Sequence, residues 1–311
     1  MFQTIVTRLL TSIMVVFGAL VLVFVIVYLL PGDPALSILD PSTATQEEID
    51  LLRKQLGTDL PFYQQFANYA KDMLNGDFGK SLLNDEPVLS KIWTHAPATL
   101  LLAFTSTLIA AVIGIWLGVL SAIHRDRWID IVARLVGLFG ISMPTFWSGI
   151  LLILLFSVTL GWLPAMGSDG WQTLVLPALS LGIVGSGFVV RLVRNSMLEV
   201  INEQFIVTLR AKGLPQRLVM YRHALRNALI PALTIIGVLS GELMAGTVVI
   251  ETVFSRQGIG RIISDALMSK DLPVIQGVIF FSAIVYVLIN MLVDLSYSMI
   301  DPRVRRMQAR R

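Results

Sequence analysis

Six stretches of this chain are each long enough, and nearly free enough of charge, to cross a bilayer as a helix. This constrains the fold more than any other feature. The hydrocarbon core is about 30 Å thick, so a spanning helix needs about 20 predominantly apolar residues. Leu9–Leu30 meets that length without a charged side chain, and further runs cover Ala98–Ile123, Leu135–Leu160, Gln172–Val190, Leu229–Ile250 and Val274–Val293. Only Glu242 interrupts the fifth. Arg8 before the first run would suit a signal peptide. The run exceeds a typical signal h-region, however, and no small-residue cleavage site follows, so it reads as a retained span. Charged residues are 14% of the 311, against about a quarter in soluble domains. The expected class is an all-α polytopic membrane protein with six transmembrane helices.

Charge gives the orientation. Arg125, Arg127 and Arg134, then the run from Arg191 to Arg226, then Arg303 to Arg311 all fall on the side of the N-terminus if the spans alternate. The opposite side holds fewer basic residues, and Arg53, Lys54, Lys71, Lys80 and Lys91 among them belong to one long loop that counts little in the positive-inside rule. Both termini are therefore expected in the cytoplasm. The basic pI becomes a topology signal, and a nucleic-acid partner is not expected. With no cysteine there is no disulfide and no thiolate metal site.

Three sections follow: 1–30 as N-terminus and first span, 31–96 as an external helical subdomain, and 97–311 as a five-helix core. Pro31-Gly32-Asp33-Pro34 ends the first helix. Thr45 and Glu48 form a capping box opening a helix that stops near Gly57, and a second helix, Phe62 to Leu74, ends at Asn75-Gly76. Gly79-Lys80-Ser81 has the look of a phosphate loop, but Leu74 stands where that loop needs glycine and no strand precedes it. Nucleotide binding is rejected there.

The most informative polar stretch is 199–230, between the fourth and fifth runs. It reads as helix, stop, helix. Glu199 to Lys212 ends at Gly213, which can adopt the left-handed conformation, and Leu214-Pro215 blocks continuation. Gln216 to Ile230 then places Arg222 and Arg226 one turn apart. The simplest account is a basic loop that fixes topology. The order of residues goes further. TLRAKGL followed by RHALRNALIP resembles the coupling loop of permease subunits from bacterial ABC importers of the peptide and nickel family. LLPGDPA, GDFGKSL, the segment Glu251–Gly277 and NMLVDLSYSMIDPRVR are similar to other parts of the B-type permease of that family, so the resemblance covers nearly the whole chain.

The resemblance implies a type I importer permease fold in the bacterial plasma (inner) membrane. It implies four further components: a homologous second permease, two ATP-binding subunits or domains, and an extracytoplasmic substrate-binding protein. Thr208, Leu209, Arg210, Ala211, Lys212, Gly213 and Leu214 would form the loop held by the ATPase, with Leu209 where the family usually has alanine. No cofactor, metal or catalytic residue is implied for this chain; ATP and Mg belong to the partner ATPases. Di- or oligopeptides are the favoured cargo. Nickel or a metal chelate is the alternative, since HRDR, SMPTFW and WLPAMG resemble nickel-type permeases.

Inside the spans, Glu242 is read as a buried acid that either lines a polar pathway or pairs with a neighbouring helix. Gly114-x-x-x-Gly118 and Gly237-x-x-x-Gly241 allow close helix contact within or between subunits, and Pro144 and Pro177 are expected kinks. Two other classes compete. An ion-coupled carrier would use Glu242 and act alone. An intramembrane hydrolase fails because Gly185-Ser186-Gly187 lacks the glycine of a nucleophile elbow and all three histidines lie outside the runs.

Overall fold

The computed structural model describes residues 2–29 and 44–300, with side chains for all of these except 2–8, 55–56 and 294–300. The Pro31-Gly32-Asp33-Pro34 stop, Asp301, DPRVR and the side chain of Asp294 lie outside the described residues. Eleven helices are described: α1 Phe2–Leu29, α2 Gln46–Leu56, α3 Phe62–Leu74, α4 Val88–Ile123, α5 Trp128–Ser142, α6 Thr145–Thr159, α7 Gln172–Ile201, α8 Gln204–Ala211, α9 Gln216–Val253, α10 Ile259–Ser269 and α11 Leu272–Ile300. Five are long and apolar enough to cross a membrane. A sixth crossing requires α5 and α6 to count together, and these meet at 111°. The third expected span is therefore no straight helix. Pro144 lacks the N–H that would continue α5, and its extended backbone (ψ 137°) makes it the N-cap of α6. The sequence suggested a kink there; the chain turns a corner.

The chain divides into two compact units. The first comprises Met1–Pro97 and Gly258–Leu288. Its α2 starts where the sequence puts it: the Glu48 N–H donates to Thr45 Oγ1 (3.4 Å) and the Thr45 N–H donates to the Glu48 carboxylate (2.8 Å). The Thr45 N–H foremost, and then its hydroxyl, both donating to the Glu48 carboxylate, hold that carboxyl below its ordinary pKa. Gly57 closes α2 at φ +68°, which a side chain would resist. Phe24 of α1 meets the rings of Phe62, Phe66 and Tyr69 of α3, centroids 5.3, 5.3 and 5.5 Å away, edge-on or tilted as ring quadrupoles favour. Val88, Ile92, Val274 and Val278 complete this core. The apparent phosphate loop has a structural explanation. Ser81 Oγ donates to Asp271 (2.5 Å), as does the Leu82 N–H (3.1 Å), so this turn is fastened to the start of α11.

The second unit, Ala98–Gln257 with Ile289–Arg311, is built around α7, which packs on α5, α6 and α9. Small residues bring the backbones close. A methyl group on Gly114 would strike Val189, on Gly118 it would strike Val193, and on Gly182 it would strike Ile109. On Gly187 it would strike the carbonyl oxygen of Gly137. In lipid there is no hydrophobic drive between helices, so such close van der Waals fit is what holds them. Gly237 likewise faces Val293. Both small-residue patterns thus pack within the subunit.

Candidate functional site

The basic stretch between α7 and α9 is a short exposed helix standing on an apolar foot. α7 runs on past Glu199 to Ile201, so the expected single helix Glu199–Lys212 is broken at Asn202 and Glu203. There the Asn202 N–H turns to the Glu199 carbonyl, and Glu203 takes an extended conformation (ψ 146°) as N-cap of α8. Gly213 ends the element as expected, at φ +76° with its N–H on the Arg210 carbonyl (2.9 Å). The second expected helix does not stop at Ile230. It is the beginning of α9, which continues to Val253 and contains one π-turn, Val219–Ala224.

Burial separates the foot from the face. Ile206, Val219 and Ala224 pack with Val119 and Ala122 of α4 and Val193 and Met197 of α7. Thr208, Arg210, Ala211, Lys212 and Gly213 are exposed, as are Arg217, Arg222 and Arg226. Leu209 and Leu214 are half-buried and rest on the same cluster. The leucine at 209 therefore points into its own subunit, where its size adds packing. What projects is a small-residue tip, Ala211-Lys212-Gly213, flanked by guanidinium and ammonium groups. That shape suits insertion into a cleft lined with acceptors.

Behind this stretch lies a polar cluster that the sequence reading passed over. Asp130, in the first turn of α5, is 0% exposed. Its Oδ1 accepts from Ser121 Oγ of α4 (2.5 Å) and from Arg194 Nε of α7 (2.8 Å). Its Oδ2 accepts from Arg194 Nη2 (2.9 Å) and from the Asp126 N–H (3.0 Å) in the α4–α5 turn. Arg134, one turn along α5, adds a looser ion pair at 3.5 Å. Such a bidentate, charge-assisted arrangement fixes direction as well as distance. In sequence, Arg194 counted only as a topology charge. No local pattern points to a partner 64 positions away.

Glu242 occupies the exposed side of α9, contrary to the burial expected of it. Glu251 is the buried acid of this helix, 0% exposed and accepting from Thr99 Oγ1 (2.6 Å). Nine residues at about 100° each place the two on opposite faces. Nearby, Arg256 is 4% exposed, and its Nε and Nη1 find no acceptor among the described residues. No group of three or more His, Cys, Asp or Glu suited to a metal ion occurs among the described residues.

Residues 114–306 match the family described as the binding-protein-dependent transport system inner membrane component, and residues 1–103 match its N-terminal companion. The chain belongs to that family. As a permease of this kind it is 41% identical over 305 residues to the glutathione transport system permease protein GsiC of Escherichia coli strain K12, covering 98% of this chain and 99% of that protein. The GsiC of Shigella dysenteriae serotype 1 matches equally. Among solved structures, the permease fold is shared with the MetNI methionine ABC transporter in an inward-facing form: TM-score 0.60 and 22% identity, over 70% of this chain and 99% of that one. An amino acid ABC transporter aligns at a TM-score of 0.52 and 15% identity, over 68% of this chain. The resemblance read from TLRAKGL and RHALRNALIP is borne out, and with it the all-α importer permease fold.

Proposed function

We propose that this permease forms the translocation path for short peptides, with glutathione-like thiol peptides included. In this reading a second permease completes the path, two ATPases drive it, and a binding protein delivers the cargo from outside. End-to-end 41% identity to a glutathione permease carries the cargo assignment and weighs against nickel. The exposed tip Ala211-Lys212-Gly213 on its buried foot supports docking to an ATPase on the cytoplasmic side, with both termini on that side. ATP and Mg are used by those partners, with no cofactor held in this chain. Glu242 suits the path. A carboxylate exposed on a spanning helix costs about 3 kcal/mol at the bilayer centre unless it faces water or a polar partner.

The test is reconstitution of the complex encoded with this permease in proteoliposomes. Uptake of labelled glutathione and of di- and tripeptides is compared with that of a nickel chelate, each with and without internal ATP. ATP-dependent peptide uptake is expected. Uptake of the chelate alone would move the assignment to metals, and uptake by this chain alone under an ion gradient would return it to the carrier class. Gly213→Pro and Ala211→Glu are expected to insert normally yet lose stimulation of ATP hydrolysis by loaded binding protein. Wild-type stimulation in both would reduce the stretch to a topology element.

A further inference from the structure

The structure assigns to Asp130 the role of a positioning residue that locks α4, α5 and α7 into one register, so that displacement of the basic stretch reaches the spans. This rests on the importer reading above. On the α4 side Val189 and Val193 of α7 seat against Gly114 and Gly118, whereas on the α5 side Gly140 meets the α7 backbone at Ile183 and Gly187. Backbones approach closely on that α5 side, and a glycine surface has few knobs to seat in holes. Apolar packing alone therefore leaves a shallow energy profile for sliding α7 against α5.

The carboxylate of Asp130 supplies what that surface lacks. Both oxygens are engaged, by Arg194 in a two-pronged contact, by Ser121 on α4 and by the Asp126 N–H in the intervening turn. Asp126 is held at φ +61°, an uncommon conformation for a residue with a side chain, so the turn is shaped to deliver that N–H. A planar guanidinium on a planar carboxylate is satisfied at one separation and one orientation, and an axial slip of α7 breaks both prongs.

The position along α7 gives the cluster its consequence. Arg194 is less than two turns from Ile201, where α7 gives way to the break before α8. Val193 and Met197, either side of it, share one buried cluster with Ile206 of α8 and Val219 of α9. The path from the exposed tip to the spans is thus short: Ile206 to Met197 and Val193, then Arg194 to Asp130, then α5 and, through Ser121, α4. A buried ion pair is frequently no more stabilising than well-packed apolar residues of similar volume, and its best-attested use is in fixing registry.

The experiment exploits that difference in the full reconstituted complex. Asp130→Leu with Arg194→Met replaces the pair by apolar side chains. Arg194→Lys keeps the charge but removes the fork. The readouts are the thermal midpoint of the complex and peptide uptake per ATP hydrolysed with loaded binding protein. The double variant is expected to keep a midpoint within a few degrees of wild type while uptake per ATP falls at least tenfold. Arg194→Lys is expected to fall about threefold on the same ratio. Wild-type uptake per ATP in either variant overturns the positioning role and leaves a structural ion pair. Failure of the importer reading shows separately, as absence of binding-protein-stimulated uptake in the unmutated complex.

Discussion

Within the second unit two regions bury charge and treat it in opposite ways. At Asp130 both carboxylate oxygens are filled, by side chains from two other helices and a backbone N–H. Beyond the far end of α9, Arg256 is almost as deeply buried, yet Nε and Nη1 lack an acceptor among the described residues. Burial draws the Arg256 guanidinium below its ordinary pKa, with the Glu251 charge opposing. Its backbone is no more relaxed, since Ser255 before it stands at φ +49°. A saturated cluster resists change, because any displacement breaks bonds that nothing replaces. A guanidinium with Nε and Nη1 unfilled among the described residues has fewer bonds to lose when it moves. On this count the end bearing the basic stretch has more bonds to lose on moving than the other.

Five substitutions test that contrast, taken from the largest expected effect downward. Asp130→Ala leaves the Arg194 guanidinium, with its side chain only 16% exposed, facing an empty place. Removing one partner of a buried pair costs about 3 kcal/mol or more, so the thermal midpoint of the purified complex should drop by many degrees. An unchanged midpoint would erase the distinction. Gly187→Ala comes next. Its methyl would meet the backbone carbonyl of Gly137 and, at 3.0 Å, the Ile141 nitrogen, atoms that cannot swing away. Overpacking of this kind costs about 2 kcal/mol. Gly149→Ala, beside a Phe254 ring carbon at 3.1 Å, should cost less than half as much, because the ring can give. Equal losses would show both regions to be equally stiff.

Arg256→Met probes the unsaturated side directly. It removes a charge with unfilled donors and keeps the stem, so the midpoint should hold or rise by up to about 1 kcal/mol equivalent. A large loss would mean the guanidinium has an essential acceptor. The smallest effect sharpens the comparison with a neutral group. Tyr69 in the first unit is buried with its hydroxyl lacking a partner among the described residues, and burial pushes its pKa up to about 12. A folded-state pKa above the unfolded one means stability fully present below pH about 10 and lost between about 10 and 12. Tyr69→Phe should abolish that alkaline loss in a pH series of midpoints and leave neutral pH within about 0.5 kcal/mol.

What the sequence revealed, and what it hid, follows from how local each cause is. Span positions came from length and charge alone. The Thr45–Glu48 box, the stops at Gly57 and Asn75-Gly76 and the left-handed Gly213 each depend on a handful of adjacent residues, so they were readable. The break at Asn202–Glu203 contains neither glycine nor proline, and the helical pattern continues across it. The break lets Ile206 join Met197 in one buried cluster, and that packing is tertiary. The corner at Pro144 was legible as an event but not in size. Asp130 is one of two aspartates in HRDRWID, and only the fold shows which of them meets Arg194. Glu242 attracted notice as the acid that interrupts a span, while Glu251, at the margin of that run, is the one the fold buries.

The glycine-lined seams of α7 bear on how work passes through this molecule. A joint with side chains between two rods has compliance, because rotamers can hop and absorb part of any push. Along the α5 seam the rods touch backbone to backbone at Gly140 and Gly187, and one end is bolted by a forked contact. From Arg194 to Ser180 is roughly 21 Å of helix at 1.5 Å per residue. If the Asp130 contact fixes their register, α5 and α7 move over that length as one girder. The give then falls where the girder ends: at the corner before Pro144 and in the π-turns at Ile153–Thr159 and Val219–Ala224.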